Sequence, residues 1–252
     1  MSDTAIALRA LALLDLTDLS DDASEAGAIA LCERALSGPV PVAAICIWPR
    51  FVTTARAILG IGPVRLATVV NFPDGDTAIA PVIRETEAAL ADGADEIDLV
   101  LPWRAVLVGN TVSAAAMIRN VKMRCDDRLL KVILETGEYP DLDKVRTTAE
   151  LAIAAGADFI KTSTGKTARS ASIEAARTML GVIAMAGRPV GLKPSGGIRS
   201  LSDAKAYLAL TDAIMGPDWA RPETFRFGAS GLHQALLDVI AGGDGERNNG
   251  PY

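Results

Sequence analysis

The chain has 252 residues, half of them hydrophobic and only 4% aromatic, with a formal charge of −6. A chain of that length suits one domain with an aliphatic core, burying roughly 70–75% of its unfolded surface. The acidic balance argues against a general electrostatic footprint for nucleic acid or an anionic membrane and leaves room for one local basic pocket, so the expected partner is a small molecule.

Short apolar runs of strand character occur at 13–17 (LLDLT), 42–48 (VAAICIW), 65–70 (RLATVV), 96–101 (EIDLVL), 130–135 (LKVILE), 158–162 (DFIKT), 190–194 (VGLKP) and 225–229 (FRFGA). Ala-rich segments with helical spacing lie between most of them, as at 77–91, 111–124, 142–155 and 172–185. Strand–helix alternation predicts a parallel α/β fold. Eight strands in this length predict closure into a single (β/α)8 barrel over residues 1–241, and a doubly wound dinucleotide fold is disfavoured because no GxGxxG occurs. Residues 242–252, GGDGERNNGPY, are Gly-rich and polar and are expected to form a flexible tail.

Cys32, Cys46 and Cys125 lack CxxC spacing, so a disulfide framework or zinc site is not expected and a reducing cytoplasm fits. Asp3 and Arg9 interrupt the apolar N-terminal segment, and no run approaches the roughly 18 apolar residues of a membrane span. The single histidine, His233, falls within the helix pattern LHQALLDVI, which disfavours a Ser-His-Asp triad or a His-based metal site.

Several strands carry one polar residue toward their C-terminal end: Asp15, Asp98, Glu135, Lys161 and Lys193. In a barrel that rim is where chemistry is done. Lys161 in DFIKTSTGK and Lys193 in GLKPSGG stand at equivalent ends of adjacent strands, about 4.8 Å apart. Like charge and partial desolvation should lower the pKa of at least one of them and supply a neutral amine, as Schiff-base chemistry requires. The ordinary fate of a lone strand-end lysine is solvation or an ion pair with Asp15, Asp98 or Glu135. Asp98, among apolar residues, needs a cation or hydrogen-bond donors, and it is a candidate to pass protons through a bound water or to serve as a structural ion pair.

For an anion, Gly196 and Gly197 follow strand seven, while Gly228, Ser230 and Gly231 stand at strand eight and open the last helix. Glycine turns and a helix N-terminus in these positions form the usual phosphate site of a barrel, which Thr164, Gly165 and Lys166 would complete. The plainer reading makes the glycines turns and Ser230 an N-cap. Cys46 is a candidate reactive thiol, although a buried small hydrophobe is its commoner role.

With these residues in place, the sequence resembles the deoxyribose-phosphate aldolase family of class I aldolases, from LLDLTDL at 13–19 to the terminal tyrosine. DFIKTSTGK, GLKPSGGIR, DEIDLVLPWRA, AAICIWPRF and FRFGAS occur in the family's order and at family-like intervals. The resemblance implies that Lys161 forms the Schiff base, that Lys193 keeps it deprotonated, and that Asp98 relays protons. Asp15 and Lys166 would belong to the supporting network, and Tyr252 would assist proton exchange at the enamine carbon. The implied reaction is reversible cleavage of 2-deoxyribose 5-phosphate to acetaldehyde and glyceraldehyde 3-phosphate, with neither metal nor organic cofactor. Two departures stand out: Ser230 is followed by Gly231 where many members have paired serines, and NFPDG at 71–75 has Asp74 in place of a common basic residue. Both bear on substrate affinity.

Three other readings compete with this one: a barrel aldolase of another phosphosugar, a phosphosugar isomerase with a carboxylate base, and a phospho-ligand binding protein. Barrels of this kind often form homodimers, and the sequence displays no patch that decides the assembly.

Overall fold

The computed structural model describes residues 1–243. Each of the eight strand windows overlaps a strand: β1 (Leu14–Asp18), β2 (Ala44–Ile47), β3 (Arg65–Val70), β4 (Glu96–Val100), β5 (Leu129–Ile133), β6 (Phe159–Lys161), β7 (Gly191–Lys193) and β8 (Phe227–Ala229). Every pairing is parallel, in the order β7-β6-β5-β4-β3-β2-β1-β8. Bridges from Leu192 to Phe225 and from Ser195 to Gly228 join the two ends and close the barrel.

The helices are α1 (Asp3–Ala12), α2 (Glu25–Leu36), α3 (Val52–Leu59), α4 (Ile79–Ala91), α5 (Trp103–Leu107), α6 (Thr111–Cys125), α7 (Leu142–Ala154), α8 (Ile173–Ala184), α9 (Leu201–Met215) and α10 (Leu232–Ile240). Their starts follow from local chemistry. Ser24, Asp141 and Ser172 accept from backbone N–H groups three residues on, and Ser200 with Asp203 forms a reciprocal capping box. None of these helices is long and apolar enough to cross a membrane, among the described residues.

The main core fills the space between sheet and helices with aliphatic side chains, such as Leu14, Leu16, Ile45, Ile97, Leu99 and Val132. Inside the barrel the two sides differ. Leu19, Cys46, Ala67 and Val69 form a small apolar cluster near β1 to β3. Charged side chains from β1, β4, β5, β6, β7 and the residue before β8 occupy the rest of the interior.

Space inside the barrel is limited, which fixes the residue at position 191. A Cβ there would lie 2.3 Å from the Phe159 ring, which fills the gap that glycine leaves. Gly191→Ala is therefore expected to destabilise the fold by about 1–3 kcal/mol, the usual range for overpacking, as read from a lower urea midpoint at unchanged slope.

Candidate active site

Seven charged side chains meet in the barrel interior: Asp15 from β1, Glu96 and Asp98 from β4, Lys131 from β5, Lys161 from β6, Lys193 from β7, and Arg226 just before β8. All are buried. Strand parity brings them together, since parallel register sets Asp98 beside Lys131 and Lys161 beside Lys193. Neighbouring residues in register point to the same face of the sheet.

Asp98 is the hub. Lys161 Nζ and Lys193 Nζ both donate to its Oδ2, at 2.9 and 2.8 Å, and Lys131 Nζ donates to Oδ1 at 2.9 Å. Lys193 Nζ also lies 2.5 Å from Asp15 Oδ2. Lys131 reaches Glu96 Oε2 at 2.5 Å and lies 3.8 Å from Asp15. Arg226 ties the lower layer together, 2.6 Å from Asp15 Oδ1 and 2.9 Å from Glu96 Oε1.

For Asp98 and Asp15 burial is the largest influence and pushes the pKa up, yet the cations prevail. Lys131, Lys161 and Lys193 hold Asp98 well below the usual carboxylate range. Lys193, Arg226 and Lys131 do the same for Asp15. Lys193 is not the depressed amine that like charge alone would make it. Burial does push Lys193 down, but Asp15 and Asp98 outweigh it and raise this lysine well above its ordinary value. Asp15 on β1 and Asp98 on β4 reach Lys193 across the barrel interior, at 2.5 and 2.8 Å, which the spacing of two lysines alone does not reveal.

The lysines are held unequally. Lys193 and Lys131 each touch at least two carboxylates, whereas Lys161, among the described residues, touches Asp98 alone. Four cationic side chains face three carboxylates, so a neutral Lys161 would leave the cluster balanced.

Some expected partners sit elsewhere. Asp15 is the second residue of β1, deep in the barrel rather than at its rim. Glu135 lies past the end of β5, and its carboxylate accepts from Thr164 and Thr167 instead of a lysine. Lys166 stands outside the buried cluster, its Nζ 2.6 Å from the exposed Asp21. Cys46 is fully buried with its Sγ 4.0 Å from Asp98 Oδ2, and burial, which outweighs the pull of Lys193, raises its thiol pKa. Thiolate chemistry at Cys46 is thereby disfavoured. His233 is buried in α10. Tyr252 lies outside the described residues.

The loops after β6, β7 and β8 converge. Ala171 N–H donates to Ser195 O, and a Cβ on Gly196 would lie 2.6 Å from Ser170 Oγ and 3.6 Å from Gly165 Cα. Gly165, Gly196 and Gly197 all have positive φ, near +80°. Gly231 is the N-cap of α10, directly after the β8 loop. Gly228 belongs to β8 itself, not to the loop after it. A Cβ there would lie 2.0 Å from Ser195 Oγ and 3.0 Å from Lys193 Cε, so this glycine makes room for the Ser195 and Lys193 side chains. At the turn after β3, Asp74 is exposed, and its carbonyl accepts from Arg104 at 2.5 Å, so a guanidinium remains at that turn although residue 74 is acidic.

Lys131, Glu96 and Arg226 are absent from the residues picked out by sequence. Their signal was present: Glu96 and Asp98 are two apart on one strand, and each of the other two interrupts an otherwise apolar strand pattern, at parity facing inward.

A family model described as DeoC/LacD family aldolase matches residues 9–231. A deoxyribose-phosphate aldolase of Agrobacterium fabrum is 53% identical over 236 residues, covering 93% of this chain and 91% of that protein. Among solved structures, a candidate deoxyribose-phosphate aldolase from Coccidioides immitis superposes with a TM-score of 0.82 at 28% identity, covering 93% of this chain and 86% of that one. One from Toxoplasma gondii, at 24% identity with 96% of each chain covered, shares the fold with a TM-score of 0.87. With an eight-stranded barrel, an interior lysine cluster and a family match over most of its length, the chain belongs to the DeoC/LacD family of aldolases.

Proposed function

We propose that the protein cleaves 2-deoxy-D-ribose 5-phosphate reversibly to acetaldehyde and D-glyceraldehyde 3-phosphate through an imine on Lys161. The observation that carries this reading is the sharing of one Asp98 oxygen by Lys161 and Lys193, in a buried cluster with one cation in excess. Lys161 is the lysine with the fewest carboxylate contacts, and Lys193 remains charged beside it. A neutral amine next to a fixed ammonium is the arrangement that imine formation uses.

In the proposed reaction, Lys161 Nζ adds to the C1 carbonyl of the open-chain sugar, and loss of water gives a protonated imine. Asp98, acting through a water, takes the proton from the C3 hydroxyl. The C2–C3 bond then breaks, its electron pair moves into the imine as an enamine, and glyceraldehyde 3-phosphate leaves. Protonation of C2 and hydrolysis release acetaldehyde and return Lys161 to the free amine. Asp15, Lys131 and Arg226 hold the charges in place during these steps, which spares the site reorganisation as charge moves. Backbone N–H groups at Gly165, Gly197 and the start of α10, with Ser230, Gly231 and Lys166, form the phosphate end, while Gly196 shapes the turn and Thr164, whose N–H and hydroxyl both donate to Glu135, holds the loop that carries Gly165 and Lys166. The positive φ of the three glycines and the converging loops support that assignment. Lys166 would exchange its exposed partner Asp21 for the phosphate.

The test is to incubate the protein with 2-deoxyribose 5-phosphate and a mild imine-reducing hydride, then map adducts by peptide mass spectrometry. A reduced adduct on Lys161 establishes nucleophile, mechanism and substrate together. Folded protein without any adduct sinks the covalent reading and moves weight to an isomerase with a carboxylate base.

A further inference from the structure

Glu135 stands apart from the lysine cluster and has no part in the chemistry above, yet it is fully buried and adopts a left-handed backbone, φ 58° and ψ 54°. Such a conformation costs a non-glycine residue free energy and persists where surrounding contacts over-determine it. Here the hydrogen bonds of the carboxylate lead to the loop after β6. Thr164 N–H donates to the carboxylate, at 3.2 and 3.3 Å from its two oxygens, and Thr164 Oγ1 donates to Oε2 at 2.6 Å. Thr167 Oγ1 lies 3.3 Å from Oε1.

The link runs further. Thr164 Oγ1, while donating to Glu135, accepts from Lys166 N–H at 3.0 Å. One carboxylate thus fixes both sides of Gly165, the positive-φ residue at the tip of the turn. The next element reinforces the clamp: a Cβ on Gly137 would lie 2.1 Å from Arg169 O, so the β5 turn presses directly against the far end of the same loop. Thr136 N–H donates to Thr162 O at its near end.

We infer that Glu135 is a positioning residue that sets the 163–167 loop for the phosphate of the substrate, and so sets the preference for phosphorylated over unphosphorylated sugar. This rests on the assignment of that loop to the phosphate end. Both carboxylate oxygens serve as acceptors, whereas glutamine, of nearly the same shape, offers one acceptor oxygen and turns a donor toward groups that are themselves donors. Burial raises the pKa of Glu135, against the opposing hydrogen bonds of Thr164, so ionisation is maintained largely by the loop it organises.

The experiment compares steady-state kinetics of the wild type, Glu135→Gln and Thr164→Val on 2-deoxyribose 5-phosphate and on 2-deoxyribose. In Glu135→Gln, KM for the phosphorylated sugar should rise about tenfold, the worth of one charged hydrogen bond, with kcat changed less than about threefold. The ratio of kcat/KM between the two sugars should fall by a similar factor. Thr164→Val, which keeps the side-chain shape and removes the hydroxyl link, should shift the ratio the same way, and the double variant should be no worse than the stronger single one. Thr164→Val provides the same reading should Glu135→Gln fail to fold, as judged by thermal melting. Equal losses on both sugars, or an unchanged ratio, would overturn the inference. A wild-type enzyme with no preference for the phosphorylated sugar would instead refute the phosphate-end assignment, and the role of Glu135 with it.

Discussion

Lys161→Arg should lower kcat on 2-deoxyribose 5-phosphate by about 10⁴-fold or more and abolish the hydride-trapped adduct, with little change in stability. Arginine can still donate to Asp98, so that carboxylate keeps a partner at position 161. It cannot supply a neutral amine, because the guanidinium stays protonated throughout the working pH range. A non-covalent isomerase that used Lys161 only as a cation would retain most of its rate. Measuring turnover, adduct formation and the urea midpoint on the same preparation separates these cases. Residual activity above about a tenth of wild type would exclude the covalent mechanism.

Asp98→Asn should damage both activity and fold. Three lysines lose the carboxylate they share, leaving four buried cationic groups opposite Asp15 and Glu96 alone. Removing one partner of a buried pair typically costs about 3–5 kcal/mol, because the remaining charges stay desolvated. Loss of a general acid–base group adds a fall in kcat of about 10²–10⁴-fold. Both should be visible in a single variant, by denaturant titration and by turnover at a temperature where it remains folded. An Asp98→Asn protein as stable as wild type would mean that the lysines lose their protons on losing their counter-ion.

The pH dependence of stability follows from the same cluster. Asp15 and Asp98 are depressed in the folded state, so their stabilisation is complete above the ordinary carboxylate range and is lost as pH falls toward their folded values. Lys131 and Lys193 are raised, so theirs is complete below the ordinary lysine range and is lost only as pH climbs through their folded values. Between about pH 5 and 9 the cluster's contribution should therefore be flat. The acid-side slope of the urea midpoint should be smaller in Asp98→Asn than in wild type.

How much of this was legible in advance differs from element to element. The alternation of short apolar runs with Ala-rich helical segments determined the eight strands and their parallel closure, because period-2 and period-3.6 patterns depend only on neighbours in sequence. Ser172 and Ser200 mark their helix starts for the same reason. Lys161, Lys193 and Asp98 also stand out locally, as charges in runs that must be buried. Their electrostatics do not. Like charge on the adjacent strand and an ion pair with Asp15 pull Lys193 in opposite directions, and the sequence could not weigh them, since Asp15 stands 178 positions away in the chain yet 2.5 Å from the nitrogen. Arg226 joins Asp15 across a separation of 211 residues, and Glu96 and Lys131 complete the set only because strand register aligns them. Glu135 looked like one more inward strand-end charge until its left-handed backbone turned the carboxylate to the next loop. The sequence by itself determined which residues are charged, which segments are strands and which face the side chains within those strands take. Tertiary structure decided which charges meet, and with them the sign of each shift, since Coulomb interactions depend on distance in space and on burial rather than on separation along the chain.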